Sequence, residues 1–253
     1  MHSIANYKIA VRLVVLILLS LTLWGFSRRR VETQQNEQFI PIAITNQPEP
    51  VNGTVPVEIR CGKAHLTSPS RLEPFSCTLK NNSTQSVTAA NAVYSVILET
   101  SEGTVKETYN STVDALVHPD FKQSNKLIGT GDETTVGPPG PSFYPNAIVK
   151  GIEIGIDYVE FEDGTALGPD RGGSQLIRTT REGAVKYREW LREQYKRNGK
   201  IVEGIVPLLQ SSQPLPQDLK LTGSEETGAN AYRHYLLKLD RALGRSEVEK
   251  RLN

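Results

Sequence analysis

The sequence predicts a mainly β protein with an apolar helix at its N-terminus and a small helical region at its C-terminus. An uncharged run from Leu13 to Phe26 has the length and composition of a membrane helix. Across residues 55–177, short segments alternate apolar with polar residues, which is the spacing of half-buried strands. From Arg178 onwards the apolar residues recur every three or four positions, which is the spacing of amphipathic helices.

Residues 1–30 are predicted to be a transmembrane signal anchor. As a helix, the segment from Ile9 to Phe26 would span about 27 Å, close to the hydrocarbon thickness of a bilayer, and Arg12 is its one charge. A cleaved signal peptide is the alternative. It needs small residues before the cleavage site, whereas Arg28, Arg29 and Arg30 follow here. Basic residues flank both ends, so the charge rule leaves the orientation open.

Residues 31–54 are predicted to form a flexible linker. The segment holds three prolines and a single aromatic residue, Phe39. Such a composition buries too little apolar surface to offset the entropy of ordering.

The β-sandwich domain is predicted over residues 55–177. Its clearest strands are Val55–Cys61, Phe75–Leu79, Tyr94–Leu98 and Ile152–Tyr158, with weaker strands at 105–109 and 126–128. The apolar phase shifts at Val159, which predicts a β-bulge near Tyr158 and Val159. Asp163-Gly164 predicts a hairpin turn, since both residues tolerate positive φ. Six or seven such strands over roughly 120 residues indicate an antiparallel, immunoglobulin-like sandwich.

The segments FSCTLKN, AVYSVILETSEG and GIEIGIDYVEFEDGT resemble exported bacterial proteins with immunoglobulin-like sandwich domains, many of them uncharacterised. The resemblance covers residues 55–170. It is carried by turn and core positions, so it implies a fold and not a function. The chain departs from the usual pattern, because both cysteines fall on the first two strands and no tryptophan lies in the domain.

The helical C-terminal region is predicted over residues 178–253. Thr179 and Glu182 have the spacing of a capping box, and Asn198-Gly199 ends the first helix. A second helix is predicted from Gly228 to Leu243. The first helix offers a candidate interaction surface, composed of Tyr187, Arg188, Trp190, Arg192 and Tyr195. These residues either pack on the sandwich or the second helix, or they contact a membrane surface or a protein partner.

Cys61 and Cys77 are predicted to form a disulfide. Both fall on the apolar phase of their strands, and the connection between them lets the strands pair side by side. Two separate buried thiols are the alternative. A disulfide requires an oxidising compartment, so it places the globular part in the periplasm or at the cell surface.

Charge is unevenly distributed along the chain. Residues 31–177 hold nine basic and eighteen acidic residues, whereas residues 178–253 hold fifteen basic and ten acidic residues. The basic tail either lies against the acidic middle or binds an external anion.

Motifs for chemistry are missing from the sequence. It contains no phosphate-binding loop, no nucleophile elbow and no zinc-binding histidine pair, and the acidic residues between 157 and 170 lack the spacing of a calcium loop. We therefore expect no catalytic residue, cofactor, metal or nucleic-acid partner. The function expected is a membrane-anchored, extracytoplasmic binding or structural module with a protein partner and an unknown ligand. The alternative is an extracytoplasmic hydrolase whose site is assembled across sandwich loops.

Overall fold

The computed structural model describes residues 38–51, 53–117, 127–138, 140–198 and 214–252. The strands are β1 (Gln38–Thr45), β2 (Val57–Cys61), β3 (Lys63–Ser68), β4 (Arg71–Leu72), β5 (Cys77–Asn81), β6 (Val87–Thr100), β7 (Gly103–Asp114), β8 (Glu133–Val136), β9 (Ser142–Phe143), β10 (Ile148–Phe161) and β11 (Ala166–Leu167). The helices are α1 (Gly173–Asn198), α2 (Gly223–Leu243) and α3 (Arg245–Leu252), and a 3₁₀ turn spans Gln217–Leu219. The predicted anchor, residues 1–30, lies outside the described residues.

The mainly β prediction is confirmed, and the helices follow the strands in the chain. The main sheet is eight-stranded, with the order β7-β6-β10-β1-β3-β4-β9 and β11 paired to β10. A smaller sheet has the order β2-β5-β8. The main sheet curls so that its inner face and the smaller sheet enclose one apolar core. Ile154 and Val96 enter this core from the main sheet, and Ile59 and Leu79 enter it from the smaller one.

The linker prediction is wrong for residues 38–45, because they form β1 in the main sheet. Residues 38–41 pair antiparallel with β3, and residues 42–45 pair parallel with β10. The change of neighbour occurs at Pro41, which has no N–H to donate to either ladder. Ile40 is buried in the core and Ile42 packs against it, but the prolines of the segment led the sequence analysis to predict a linker. The parallel β1–β10 pairing also makes the main sheet mixed, whereas the sequence predicted an antiparallel one.

Gly62 separates two strands that belong to different sheets. β2, before it, pairs with β5 in the smaller sheet, while β3, after it, pairs with β1 and β4 in the main sheet. Cys61 lies directly opposite Cys77 in the β2–β5 register, and the structure joins their sulfur atoms in a disulfide with a Cα–Cα distance of 4.3 Å. The disulfide therefore lies next to the point where the chain passes between sheets.

Turns and irregularities in the strands lie close to their predicted positions. The β6–β10 register shifts between Ile156 and Tyr158, so the bulged residue is Asp157. The Asp163-Gly164 turn joins β10 to β11, and Gly164 has a φ of 83°. Of the weak strand predicted at 126–128, Ile128 forms an isolated bridge with Val87, and residue 126 lies outside the described residues.

The first helix begins earlier than predicted. Because α1 starts at Gly173, Thr179 lies inside it, and its hydroxyl donates to the Gln175 carbonyl at 2.7 Å. The capping box predicted at Thr179 is therefore wrong. A capping box instead begins α2, where the Glu225 carboxylate accepts the Thr222 N–H at 2.8 Å. Within the described part of the chain, no helix has the length and apolar character needed to cross a membrane.

The two long helices approach each other through glycines. A Cβ atom at Gly183 of α1 would lie 2.0 Å from the Glu225 carbonyl oxygen, and one at Gly228 of α2 would lie 1.7 Å from that of Thr180. Glycine in a helix interior costs stability relative to alanine. Here the missing side chains bring the two backbones into contact, so Ala184, Tyr187, Tyr232 and Leu236 can form a small second core.

Candidate functional site at the sheet–helix junction

A buried carboxylate joins the main sheet to α1. Asp157 is only 5% exposed. Its Oδ1 atom accepts the Arg171 N–H and its Oδ2 atom accepts the Gly173 N–H, both at 2.8 Å. The first N–H groups of a helix lack partners inside the helix, and the helix dipole favours negative charge there. The bulge in β10 therefore directs a carboxylate at the start of α1.

The same carboxylate is connected to the edge strand by a buried amide. Asn91 of β6 is fully buried, and its Nδ2 atom donates to Asp157 at 3.4 Å and to the Asn110 Oδ1 atom at 3.0 Å. Its own Oδ1 atom accepts the Thr112 hydroxyl at 3.2 Å. A buried polar network stabilises a structure when its members are satisfied, and this one fixes β7, β6, β10 and α1 relative to one another.

A second link between sheet and helix lies two turns along α1. Arg181 donates to both oxygens of Asp114 at 2.9 Å and to both oxygens of Glu160 at 3.0 and 3.2 Å. The Thr88 hydroxyl donates to Glu160 at 2.8 Å. Burial raises the pKa of Glu160, but the hydrogen bonds from Arg181 and Thr88 outweigh it, so this pKa lies below its usual value. Burial opposes the charge of Arg181 too, yet both carboxylates hold its pKa above the usual value.

Between these links and the open edge of the sheet lies a polar cleft of about 380 Å³. Its floor is the outer face of the main sheet, where β6 and β10 contribute small residues, among them Ser95 and Gly155. Its walls carry hydroxyl, amide and basic side chains: Thr45, Asn46, Lys106, Thr108, Asn110 and Arg171. We call this site the junction cleft. Val93, Ile156 and Leu176 also belong to the lining, so the cleft offers apolar surface beside the groups that can form hydrogen bonds with a ligand.

Four charged residues line the junction cleft: Lys106, Arg171, Glu153 and Asp157. Lys106 pairs with Glu153 at 2.5 Å, so its charge is matched inside the cleft. Arg171 is exposed at the start of α1, and no carboxylate of the described residues forms an ion pair with it. The Asp157 carboxylate of the lining accepts backbone N–H groups and forms no ion pair with a described residue either, so the four formal charges of the cleft balance. The Arg171 guanidinium remains a group that can bind a carboxylate through two parallel hydrogen bonds.

The predicted interaction helix is packed inside the helical region. Tyr187 is fully buried, and burial raises its pKa to about 12. Its ring stacks on Trp190 with centroids 6.1 Å apart, and the Trp190 indole donates to Asp218 at 3.1 Å. Arg192 donates to the Arg251 carbonyl at 3.3 Å, which ties α1 to α3. Tyr187, Arg188, Trp190, Arg192 and Tyr195 are all buried or half-buried. These contacts pack the five residues against the helical region, and none of them lines the junction cleft. Their role as an interaction surface stays a prediction.

The acidic residues between 157 and 170 have separate structural roles. Asp157 and Glu160 hold α1, Asp170 caps it by accepting the Ser174 N–H at 3.0 Å, and Asp163 accepts the Thr165 N–H at 2.9 Å in the hairpin turn. Within the described ranges, no group of three metal-ligating side chains comes together.

The sequence contained signals for the junction that periodicity did not reveal. Asp157 interrupts an apolar strand at the predicted bulge, and Asn91 stands alone in the apolar run from Ala89 to Val93. A polar residue at a core position needs a partner, so both positions required an explanation. Their partners come from residues far along the chain, and sequence spacing does not identify them.

Comparison with protein-family models, with curated proteins and with solved structures finds no match to this chain.

Proposed function

We propose that this chain is a membrane-anchored binding module whose globular part lies outside the cytoplasm and whose binding site is the junction cleft. The observation that carries the proposal is the arrangement of that cleft. A rigid floor and a rigid helix start hold hydroxyl, amide and guanidinium groups around one concavity. Sites built on regular elements hold their groups more accurately than sites built on loops.

The ligand that fits this lining is a polar segment of a partner protein that presents a carboxylate. Arg171 supplies a guanidinium that can bind a carboxylate through paired hydrogen bonds, while Thr108, Asn110 and Ser95 supply neutral hydrogen-bonding groups. The volume of about 380 Å³ lies near the lower end of the range of ligand pockets and accommodates side chains of a partner segment.

A binding role is favoured over the hydrolase alternative by the use of the ionisable groups. Asp157, Glu160 and Arg181 hold α1 on the sheet, so they are engaged in structure. Of the histidines in the described ranges, His65 stacks on Phe39 and His234 is exposed on α2, and neither lines the junction cleft. A hydrolase of the serine–histidine type needs such a base beside its nucleophile.

The compartment and the fold family are part of the same proposal. The Cys61–Cys77 disulfide supports an oxidising compartment and therefore a globular part outside the cytoplasm. Two sheets that enclose one core support an immunoglobulin-like sandwich, with the mixed β1 pairing as its departure from a fully antiparallel plan. The apolar run up to Phe26 supports the anchor.

Photocrosslinking of the full chain in the membranes of its host tests the proposal. A photoreactive amino acid replaces Thr108, which is exposed and lines the junction cleft, and the control position is Thr104, which is exposed on the same strand outside the cleft. We expect a discrete protein adduct from position 108 and none from position 104. The same adducts from both positions, or none from 108, would count against a binding site in the cleft.

A further inference from the structure

We propose that the end of the main sheet at which β1 begins rests on the lipid bilayer, with Phe143 and Ile148 as its apolar contacts. This inference rests on the proposed function, because it takes the membrane anchor as given. The inference adds a fixed orientation to the proposed function. The end of the main sheet at which β1 begins, which we call the rim, contacts lipid, and the junction cleft faces away from it.

The strand registers show which residues share this rim. Ile42 pairs with Ile152 in the parallel β1–β10 ladder, and β10 has a register shift between Val149 and Gly151. Gln38, the first residue of β1, therefore lies within about one residue of the level of Ile148, the first residue of β10. Ile148 in turn pairs with Glu99 of β6, one residue before the β6–β7 turn. The entry of the chain, the start of β10 and the β6–β7 turn therefore lie at one end of the sheet.

On the other side of β1, the registers of β3, β4 and β9 show which of their residues lie at the same end of the sheet. Gln38 pairs with Leu66, Leu66 with Leu72, and Leu72 with Ser142. Since β1, β3, β4 and β9 are successively antiparallel, Phe143 lies one residue beyond this level, in the direction from which the chain enters β1. Phe143 is thus at the extreme end of the rim.

The rim exposes large apolar side chains. Phe143 is 66% exposed, Ile148 is 45% exposed and Val105, one residue above the rim on β7, is 46% exposed. Phe143 and Val105 flank a shallow depression of about 490 Å³ with Pro145 and Ala147. A cluster of exposed apolar side chains on a globular protein marks an interaction surface.

The basic side chains at the rim are matched within the protein, and Glu102 in the β6–β7 turn forms no ion pair with a described residue. Arg71 pairs with Glu73 at 3.2 Å, and Lys150 pairs with Glu99. Attraction to anionic lipid headgroups depends on an excess of basic residues, and this rim has none. The chemistry therefore points to a contact driven by apolar burial in the interface, so an uncharged phosphatidylcholine surface suffices.

The sequence brings this rim close to the proposed anchor. Arg30 precedes Gln38 by eight residues, so the connection spans at most about 28 Å when fully extended. A short tether of this kind gives a weak surface a high effective concentration of its target. Because the connection to the proposed anchor is short, the bilayer that holds the anchor is the partner within reach of Phe143 and Ile148.

The opposite end of the molecule carries the helices. Asp157 is nine residues along β10 from Ile148, and α1 begins beside it. Docking of the rim would therefore leave the junction cleft and the helices directed away from the lipid.

Spin labels on the full chain in phosphatidylcholine nanodiscs test the inference. One label is placed by Phe143→Cys and a control label by Glu226→Cys, which is exposed on α2, while the disulfide keeps Cys61 and Cys77 unreactive. Electron paramagnetic resonance then compares collisions with oxygen and with an aqueous nickel complex. We expect the label at 143 to lose nickel collisions and gain oxygen collisions relative to the label at 226. Adding Ile148→Asp should return the label at 143 to water, whereas Val185→Asp, on exposed α1 surface, should not.

Two adverse outcomes separate the inference from the proposed function. Equal nickel collisions at both labels, with protein retained on the nanodisc through an alkaline wash, would overturn rim docking and leave the anchored module standing. Loss of the protein from the nanodisc in that wash would overturn the anchor, and the docked rim would fall with it.

Discussion

Asp157 accepts the backbone N–H of Gly173 at 2.8 Å, so the bulged residue of β10 closes the first turn of α1. A Cβ atom at position 173 would lie 2.7 Å from the same Oδ2 atom and 2.7 Å from the Tyr158 Cβ atom. The contact therefore depends on a carboxylate on one side and on glycine on the other. Without it, the helical region would keep the Arg181 ion pairs as its second link to the sheet.

The first prediction concerns this carboxylate. Asp157→Ala removes a buried acceptor and leaves the Arg171 and Gly173 N–H groups without a partner, so we expect a loss of about 2–4 kcal/mol in the free energy of unfolding. Urea unfolding measures it. The control is Asp170→Ala, which removes an exposed cap from the same helix and should cost about 1 kcal/mol. Equal losses in the two variants would contradict the account.

Arg181 gives a second test of the junction. Arg181→Met leaves Asp114 and Glu160 without their counter-charge, and the Asp114 side chain is only 5% exposed. Removal of one partner from a buried ion pair costs about 3–5 kcal/mol, and the partial exposure of Arg181 places this case near the lower limit. Arg178→Met, on the exposed side of α1, should change the stability by less than about 0.5 kcal/mol. Thermal unfolding of both variants would show the difference.

Acid should weaken the junction through Glu160. Its folded pKa lies below the usual value of 4.5, so the stability it contributes is fully present above that value and is lost as the pH falls through the folded pKa. We expect the melting temperature of the wild type to fall on acidification below pH 4.5. Glu160→Gln should be less stable at neutral pH and should lose less on acidification. Parallel slopes for the two proteins would show that another group causes the acid sensitivity.

The helix crossing predicts an unusual response to alanine. In a solvated helix, Gly→Ala stabilises by about 1 kcal/mol. At Gly183 and Gly228 the new methyl group would meet a carbonyl oxygen, so each substitution should cost about 1–3 kcal/mol by overpacking. Gly223→Ala is the control, because nothing lies within 4 Å of a Cβ atom there. Stabilisation by Gly228→Ala would mean that the helices do not cross at this point.

The disulfide predicts a stability difference with a chemical readout. Replacement of both Cys61 and Cys77 by serine releases a loop with a sequence separation of 16, which should cost about 3 kcal/mol by chain entropy. Thiol titration of denatured, non-reduced protein from its host should find no free thiol. Two free thiols there would remove the support for an extracytoplasmic compartment.

Sequence periodicity predicted those parts of the fold that depend on neighbouring residues. The alternation in β6 and β10, the turn at Asp163-Gly164 and the end of α2 at Gly244 follow from local patterns. β1 was not predicted because the prolines of the segment outweighed Ile40 and Ile42, whose partners are Ala64 in β3 and Ile152 in β10. The composition of a segment does not predict pairing with residues that are distant in the chain.

The candidate site was less accessible to sequence reasoning than the fold. The basic and aromatic residues of α1 attracted attention because they are regularly spaced, yet Tyr187 and Trp190 pack within the helical region. The junction cleft is assembled from β1, β6, β7, β10 and the start of α1. The sequence pattern around Lys106, Thr108 and Asn110 indicates an ordinary exposed strand. These residues line a cleft only because α1 begins beside them in the fold.

The most direct test of the binding role is the yield of the adduct formed from position 108 when the charge of Arg171 is reversed. In the full chain, Arg171→Glu replaces the guanidinium with a carboxylate, and Arg178→Glu makes the same charge change on the exposed side of α1 outside the cleft. Circular dichroism establishes that both variants are folded. If the junction cleft binds a carboxylate-bearing partner, the adduct is lost in Arg171→Glu and retained in Arg178→Glu. Equal adduct yields in the two variants would contradict the proposed function.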